Sequence, residues 1–516
     1  MATGSMDMLK GRRRTARSAV WARTGALDGY PAMPSRRALP ADDPASVRGG
    51  IGTGVRHPLL RRAESERLHA YAESVHGRFD AIVPFLRELA TLHSAPDFEE
   101  RAQRLARDRL GHALPEEVLA RAWIDGIDMR ALFASCVFQA YLHSSARFFA
   151  DTPLADDGED GEFVEWLNGC GFHTLDISPC SDGRLAHVIR YVLRLPYRVV
   201  RRKAYAGAVF DVEDSLAKWV ETEFQRSREL ADGPGRYLKV VAYHFSGSAP
   251  DTEGCAAHGS DARQAALAGL QRLVALREAL ENTFCCGASI DLLLIGVDTD
   301  TDAIRVHLPD GGGQLDLERV IEAWPLYEAT SALPVAGADP LVEERIREAS
   351  PDIAPGMARL IATLLRNNLA QIDYVQRFHA GRYEDVGHAE RFIGAGIGFE
   401  DVQLRNLTYF AYLHTVEEGT RDLDVGVKVF SRLYADHGLP VPVVVRFDYH
   451  GSVPGARERA LERCERVEAA LRERYADLCG QGLLHTLKVV RDCDSREPLQ
   501  VIGCSLPAVP TTEGLI

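Results

Sequence analysis

Apolar residues recur at three- and four-residue steps from Glu64 to Leu92, and again over Asp97–Leu110, Pro115–Trp123 and Met129–Phe149. That spacing predicts a run of amphipathic helices between residues 57 and 150. Pro115 with Glu116 and Glu117 has the chemistry of a helix start. Past residue 150 the texture changes. Phe172–Ile177, Tyr237–His244 and Ile290–Val297 read as strands, while Leu185–Leu195 and Arg263–Glu281 read as helices. Strands alternating with helices predict a parallel sheet covered by helices.

The second half contains a repeat. Val240–Pro250 (VVAYHFSGSAP) matches Val444–Pro454 (VVRFDYHGSVP), each followed by a helix (Ala262–Glu281, Ala456–Ala476) and an apolar strand (Ile290–Val297, Leu484–Val490). A looser match pairs Cys180-Ser-Asp-Gly-Arg184 with Val416-Glu-Glu-Gly-Thr420. The pattern predicts a duplicated α/β unit. The copies differ where polar residues stand. His244 faces Asp448, Cys180 faces Val416 on the looser match, and Cys255 sits among about ten residues that only the first copy has. A set of polar residues kept in one copy and lost in the other points to chemistry in the first.

Ligands sit well where parallel strands end, because the carboxyl ends of the strands open onto a crevice. Cys180 follows one predicted strand, His244 closes another, and Cys255 lies in the loop beyond. Two thiolates and one imidazole suit zinc, and three protein ligands leave a fourth position for water. Asp182 and Arg184 follow the first thiolate closely. Such a zinc carries no net charge and acidifies its water less than one held by three imidazoles. Asp182 would then accept the proton and orient the nucleophile, with Arg184 holding the carboxylate by a bidentate pair. The chemistry implied is attack by zinc-bound hydroxide on a small electrophile. His258 offers an alternative, a closed Cys2His2 site that is merely structural.

Composition sets the outer limits. The chain has 516 residues, of which 46% are hydrophobic and 26% charged, as expected of a globular protein. No apolar run approaches the ~18 residues of a membrane span. A net charge of −14 argues against nucleic acid as a partner. Ten cysteines are too dilute for a disulfide framework, and the vicinal Cys285–Cys286 reads as a pair of loop or core thiols. Residues 1–56 hold ten basic side chains against four acidic ones, with few apolar residues at regular spacing and no apolar run of the kind a secretory signal needs. They are expected to form a disordered basic arm suited to docking. Asp298-Thr-Asp300-Thr-Asp302 lacks the glycine and glutamate of a calcium loop and reads as a solvated turn. Gly394-Ala-Gly396-Ile-Gly398 has its third glycine out of place for a dinucleotide fingerprint.

The run DISPCSDGRLAHVIRYVLRLP, with VVAYHFSGS, GHAERFIGAGIGF at 387–399 and RNLTYFAYLHTVEEG at 405–419, resembles the carboxysome-shell carbonic anhydrases, a divergent branch of the β-class. The resemblance covers roughly residues 57 to 516. It implies reversible hydration of CO2 to bicarbonate, with Cys180, His244 and Cys255 as ligands of one Zn2+ per chain and Asp182–Arg184 as the supporting dyad. It also implies a place in the carboxysome, with Rubisco or shell proteins as partners through the basic arm and a homo-oligomeric state. His388 is the preferred proton shuttle because it lies in a matched motif, ahead of His379 and His173. The organisation expected is a disordered arm (1–56), an all-α domain (57–150), a zinc-binding α/β unit (151–395) and a degenerate zinc-free duplicate (396–516). The rival expectation is a zinc-stabilised scaffold protein without turnover.

Overall fold

A computed structural model describes residues 62–506, apart from 93–94, 117–118, 120–127, 152, 154–158, 230–235, 285–289, 412–415 and 496. The basic arm, the Cys285–Cys286 pair and most of Pro115–Trp123 lie outside the described residues. The helical run forms as its periodicity predicts: α1 (Arg62–Asp80), α2 (Ile82–Thr91), α3 (Phe98–Leu110) and α4 (Met129–Asp151). In α2 the buried stripe is Ile82, Phe85, Leu86 and Leu89, one face of a 3.6-residue period. Among the described residues no helix is long and apolar enough to cross a membrane.

The chain folds into two compact units. One holds 154–388 with the start of α1, and the other holds 70–153 with the chain from 389 onward. In the first, α5 (Glu159–Gly169), β1 (Phe172–Pro179), β2 (Arg201–Arg202), α6 (Val212–Glu229), β3 (Arg236–Phe245), α7 (Ala262–Phe284), β4 (Ile290–Asp298), β5 (Ile304–Pro309) and β6 (Leu315–Glu322) precede α8 (Ala323–Ser331), α9 (Val335–Ala349) and α10 (Pro355–Phe378). The sheet order is β2-β1-β3-β4-β5-β6, with the first four strands parallel and the last two an antiparallel hairpin. Alternate residues of β3 and β4 enter different cores. Leu238, Val240, Leu293 and Ile295 pack with α10, while Tyr237, Val241, Leu292 and Leu294 pack with α7. A parallel sheet buried on both faces reads as near-continuous apolar runs, the pattern these strands show.

The sequence predicts a helix over Leu185–Leu195, and here the chain departs from it. It makes a 3-10 turn (Gly183–Leu185) and one π turn (Val188–Val192), and Arg194 takes a positive φ of 50°. Arg194 is held there by Gln371, 2.7 Å from one guanidinium nitrogen, so tertiary bonding overrides helical periodicity.

The second unit continues with β7 (Phe392–Ile397), β8 (Thr408–Ala411), α11 (Val416–Leu433), β9 (Val441–Tyr449), α12 (Ala456–Arg474), α13 (Ala476–Gly480), β10 (Leu484–Asp492) and β11 (Gln500–Cys504). Its sheet, β11-β10-β9-β7-β8, repeats the first five strands of the other in the same spatial order. Turn hydrogen bonds repeat too. Gly247 N donates to Asp298 Oδ1 (3.0 Å) as Gly451 N does to Asp492 Oδ1 (2.9 Å). Ser248 N donates to Asp300 Oδ2 as Ser452 N does to Asp494 Oδ2.

Strand register corrects the looser of the two sequence matches. Ile177 pairs with Val240 and Gly394 with Val444, so β1 corresponds to β7, not to Val416, which opens α11. Cys180 then corresponds to Ile397, Asp182 to Phe399 and Arg184 to Asp401, and both copies place a 3-10 turn next (Gly183–Leu185, Glu400–Val402). The four-residue likeness that suggested Val416 is too short to outweigh a strand register.

Where the first copy gathers Cys180 and His244, the second holds a buried ion cluster. Arg446 is fully buried and binds Asp448 through two nitrogens (2.7 and 2.8 Å) and Asp401 through a third (2.6 Å). Ser145 donates to Asp401, and Arg446 donates to the Tyr141 hydroxyl at 3.1 Å. Removing one partner of such a cluster strands an uncompensated charge. Arg446→Ala should therefore destabilise this unit by about 3–5 kcal/mol, read by denaturant unfolding. A change below about 1 kcal/mol would show the cluster to be dispensable.

Candidate metal centre

Three backbone segments bring the site together. Cys180 leaves β1 with its N–H on Ala242 O (3.1 Å), and the next residue, Ser181, bonds Tyr205 O (3.0 Å). This pins the loop between two parallel neighbours. His244 is the last but one residue of β3 and fully buried. Cys255 lies in the connection to α7, where its carbonyl accepts from both His258 N and Ser260 N (3.0 Å each). That tight turn needs Gly254 before it, because a Cβ there would lie 2.5 Å from Ser260 O.

The ligating atoms of Cys180, His244 and Cys255 all lie within 4.8 Å of one another, and all three residues are buried. Both thiols are free. Tetrahedral zinc with sulfur and nitrogen donors has edges of about 3.5–4 Å, so this donor set fits that ion in spacing and in chemistry. His258 does not join it. Its Nε2 is 3.0 Å from Gly207 O. The thiols act on each other: the hydrogen bond between them, with burial, raises Cys180 well above the usual thiol range, while at Cys255 the same bond outweighs burial and lowers the thiol. Burial lowers the His244 imidazole, but the Asp182 and Cys180 charges outweigh it and leave the group raised to about 9.

Asp182 caps the 3-10 turn. Its Oδ1 accepts from Arg184 N (2.9 Å), and the Arg184 guanidinium grips both carboxylate oxygens (2.9 and 2.8 Å). Arg184 is 1% exposed and Asp182 4%. The remaining guanidinium donors reach Glu253 O, Gly254 O (3.3 Å) and Val386 O (2.9 Å). Burial raises the Asp182 carboxyl, but Arg184, then His388 and His244, outweigh it and hold it well below the usual carboxylate range. Asp182 Oδ2 lies 3.2 Å from His244 Nε2 and 3.7 Å from His388 Nε2.

The structure sorts the histidine candidates. His388 stands beside Asp182 with a side chain 21% exposed. His173 is at the start of β1, the opposite end from Cys180, and pairs with Glu223 at 2.7 Å. That rules it out as a shuttle, since eight strand residues span about 25 Å. The His379 ring lies against Tyr383, centroids 4.5 Å apart and the rings tilted by 47°. The carbonyls of Glu253, Gly254 and Val386 escape sequence reasoning altogether, because no side-chain pattern marks them.

Family models of the carboxysome shell carbonic anhydrase match in three consecutive parts: the N-terminal part over residues 57–149, the catalytic domain over 162–388 and the C-terminal part over 389–506. The chain belongs to the carboxysome shell carbonic anhydrase family. It is 51% identical over 511 residues to the carboxysome shell carbonic anhydrase of Parasynechococcus marenigrum, covering 96% of this chain and 86% of that one. It is 51% identical over 494 residues to that of Prochlorococcus marinus strain MIT 9313 (93% and 96%), and 44% identical over 464 residues to that of Halothiobacillus neapolitanus (87% and 90%). Cys180, Asp182, Arg184, His244, Cys255 and His388 all fall within the catalytic match.

The Gly254 turn gives a direct test of how Cys255 is held. Gly254→Ala should lower stability by about 1–3 kcal/mol, measured by thermal unfolding, because backbone must move to admit the methyl group. An unchanged midpoint would mean that the turn is not as tight as its geometry requires.

Proposed function

We propose that this chain is a zinc carbonic anhydrase of the carboxysome, interconverting CO2 and bicarbonate at one ion held by Cys180, His244 and Cys255. The observation that carries this reading is the convergence of those three buried donors beside the Asp182–Arg184 pair, within the catalytic match. When bound, zinc supplies Lewis-acid polarisation that makes water a nucleophile near neutral pH.

The protein's own residues manage the proton. Hydration joins CO2 and water as bicarbonate and releases one proton. Asp182 remains ionised because Arg184, His388 and His244 together outweigh its burial, so Oδ2 is ready to accept from the reacting water. Arg184 also fixes the plane of the carboxylate, since two nitrogens on two oxygens leave one orientation. His388 then passes the proton outward, its Nε2 lying 3.7 Å from Asp182 Oδ2 on a side chain that is 21% exposed. The basic arm, with its net charge of +6 from ten cations and four anions, is the proposed docking element for Rubisco or shell protein.

Stripping the purified chain with a strong zinc chelator should abolish stopped-flow CO2 hydration, and added zinc should restore it. Zinc bound without turnover would overturn the reading in favour of a scaffold role. Arg184→Lys keeps one charge but loses the two-nitrogen grip. It should lower kcat about a hundredfold with zinc content, measured by mass spectrometry, unchanged. Parental kcat in that variant would remove Asp182 orientation from the mechanism.

A further inference from the structure

The Asp298–Asp302 run is not the solvated turn that its composition suggests. Thr299, Asp300 and Asp302 are 0–2% exposed. Asp302 has a positive φ of 59°, a conformation that Asp tolerates better than most residues. Its Oδ2 accepts three hydrogen bonds, each 2.8 Å: from His187 Nε2, Gln371 Nε2 and the Tyr383 hydroxyl. Its carbonyl accepts a fourth, from Asn368 Nδ2 (2.7 Å).

Two of those donors, His187 and Tyr383, lie on segments that carry the site, and the other two, Asn368 and Gln371, lie on α10. His187 is three residues beyond Arg184, in the turn that follows the dyad. Tyr383 opens the stretch whose Val386 carbonyl caps Arg184 and whose His388 faces Asp182. Tyr383 is held twice, since its N–H also donates to Asp300 O (2.8 Å). Asp300 in turn binds Ser246 Oγ and Ser248 N, just past His244.

The duplicate separates what the turn needs from what the site needs. At the offset that carries Asp298 to Asp492 and Asp300 to Asp494, the turn aspartates are kept with the same backbone bonds. Carried on along the sequence, that offset puts Arg496 opposite Asp302, or Glu497 once the one residue added before β11 is counted, and the β1-to-β7 offset puts Leu404 opposite His187. The copy that lacks Cys180, His244 and Cys255 has therefore also lost Asp302 and His187, while the turn persists. We propose that Asp302 is a positioning residue for the reaction: it ties the Arg184 turn to the 383–388 segment and so sets His388 and Val386 against the Asp182–Arg184 pair. This rests on the carbonic anhydrase reading given above.

The test uses the full, zinc-loaded chain. Asp302→Asn keeps the size of the side chain and one oxygen, but removes the negative charge that binds three donors at once and puts an NH2 donor where an oxygen stood. It should lower kcat for CO2 hydration about tenfold or more, with bound zinc unchanged, because small displacements of a catalytic group cost this much. Tyr383→Phe should lower kcat in the same direction but less. The double variant should fall no further than Asp302→Asn, because both changes break one connection. Amides of residues 383–388 should exchange faster with deuterium in each variant, while β4 and α10 keep their protection. Parental kcat and parental exchange at 383–388 would overturn the proposal, as would equal loss of protection across β4 and α10, which would mark Asp302 as a general stabiliser. If Asp302→Asn does not fold, Tyr383→Phe alone decides by the same two readouts. A parent chain without CO2 hydration would sink the function reading instead, and exchange at 383–388 would still judge the positioning role.

Discussion

A guanidinium cannot shed its charge, and Arg184 is sealed from water at the carboxyl end of β1. An unpaired charge at that depth costs several kcal/mol, whereas a single loop hydrogen bond contributes about 1 kcal/mol. Pairing the cation therefore takes precedence over any one bond in the surrounding loops. Asp182 takes three of the Arg184 nitrogens, counting the backbone N–H; one of these also donates to Gly254 O, and the fourth donates to Glu253 O and Val386 O. Two of those carbonyls lie immediately before Cys255 and one lies two residues before His388. Burying one charge thus fixes the thiol loop and the histidine segment together, and it keeps the Asp182 carboxylate ionised.

The second α/β unit meets a similar demand with the charges rearranged. Its arginine, Arg446, is on the central strand β9, at the position Ala242 holds in the first copy, and an aspartate, Asp401, stands where Arg184 does. With Asp448 in place of His244, the cation is internal to the protein and fully paired. Aspartates retained at the turn after β10 show that the backbone scaffold outlived the change. Comparison within one chain therefore divides residues that the fold requires from residues that only the copy with the Cys-His-Cys trio keeps. Asp302 falls in the second group.

Much is legible in the sequence because its signals are local. Period-2 and 3.6-residue patterns mark β1, β3, β4, α7 and most of α1 to α4, which form within a few residues of expectation. The contrast between the copies singles out Cys180, His244 and Cys255, and the structure gathers those three. The failures share a cause. The Leu185–Leu195 helix is displaced by bonds from Gln371 and neighbours far along the chain, and the aspartate-rich turn deceives because composition alone cannot show that Gln371 and Tyr383 bury it.

Element types, the presence of a duplicated unit, the candidate ligand trio and the Asp182–Arg184 pair are all readable from the chain alone, since each is written in spacing over a few residues or in likeness between two segments. Other features emerge only when the chain is folded: that β7 rather than Val416 answers β1, that main-chain carbonyls complete the shell of Arg184, that His173 lies at the wrong end of its strand, and that Asp302 is a buried hub. Those outcomes depend on strand register and on partners as many as 202 residues apart, as between Arg184 and Val386. Hydrogen bonds across such separations leave no periodic trace in the chain that makes them.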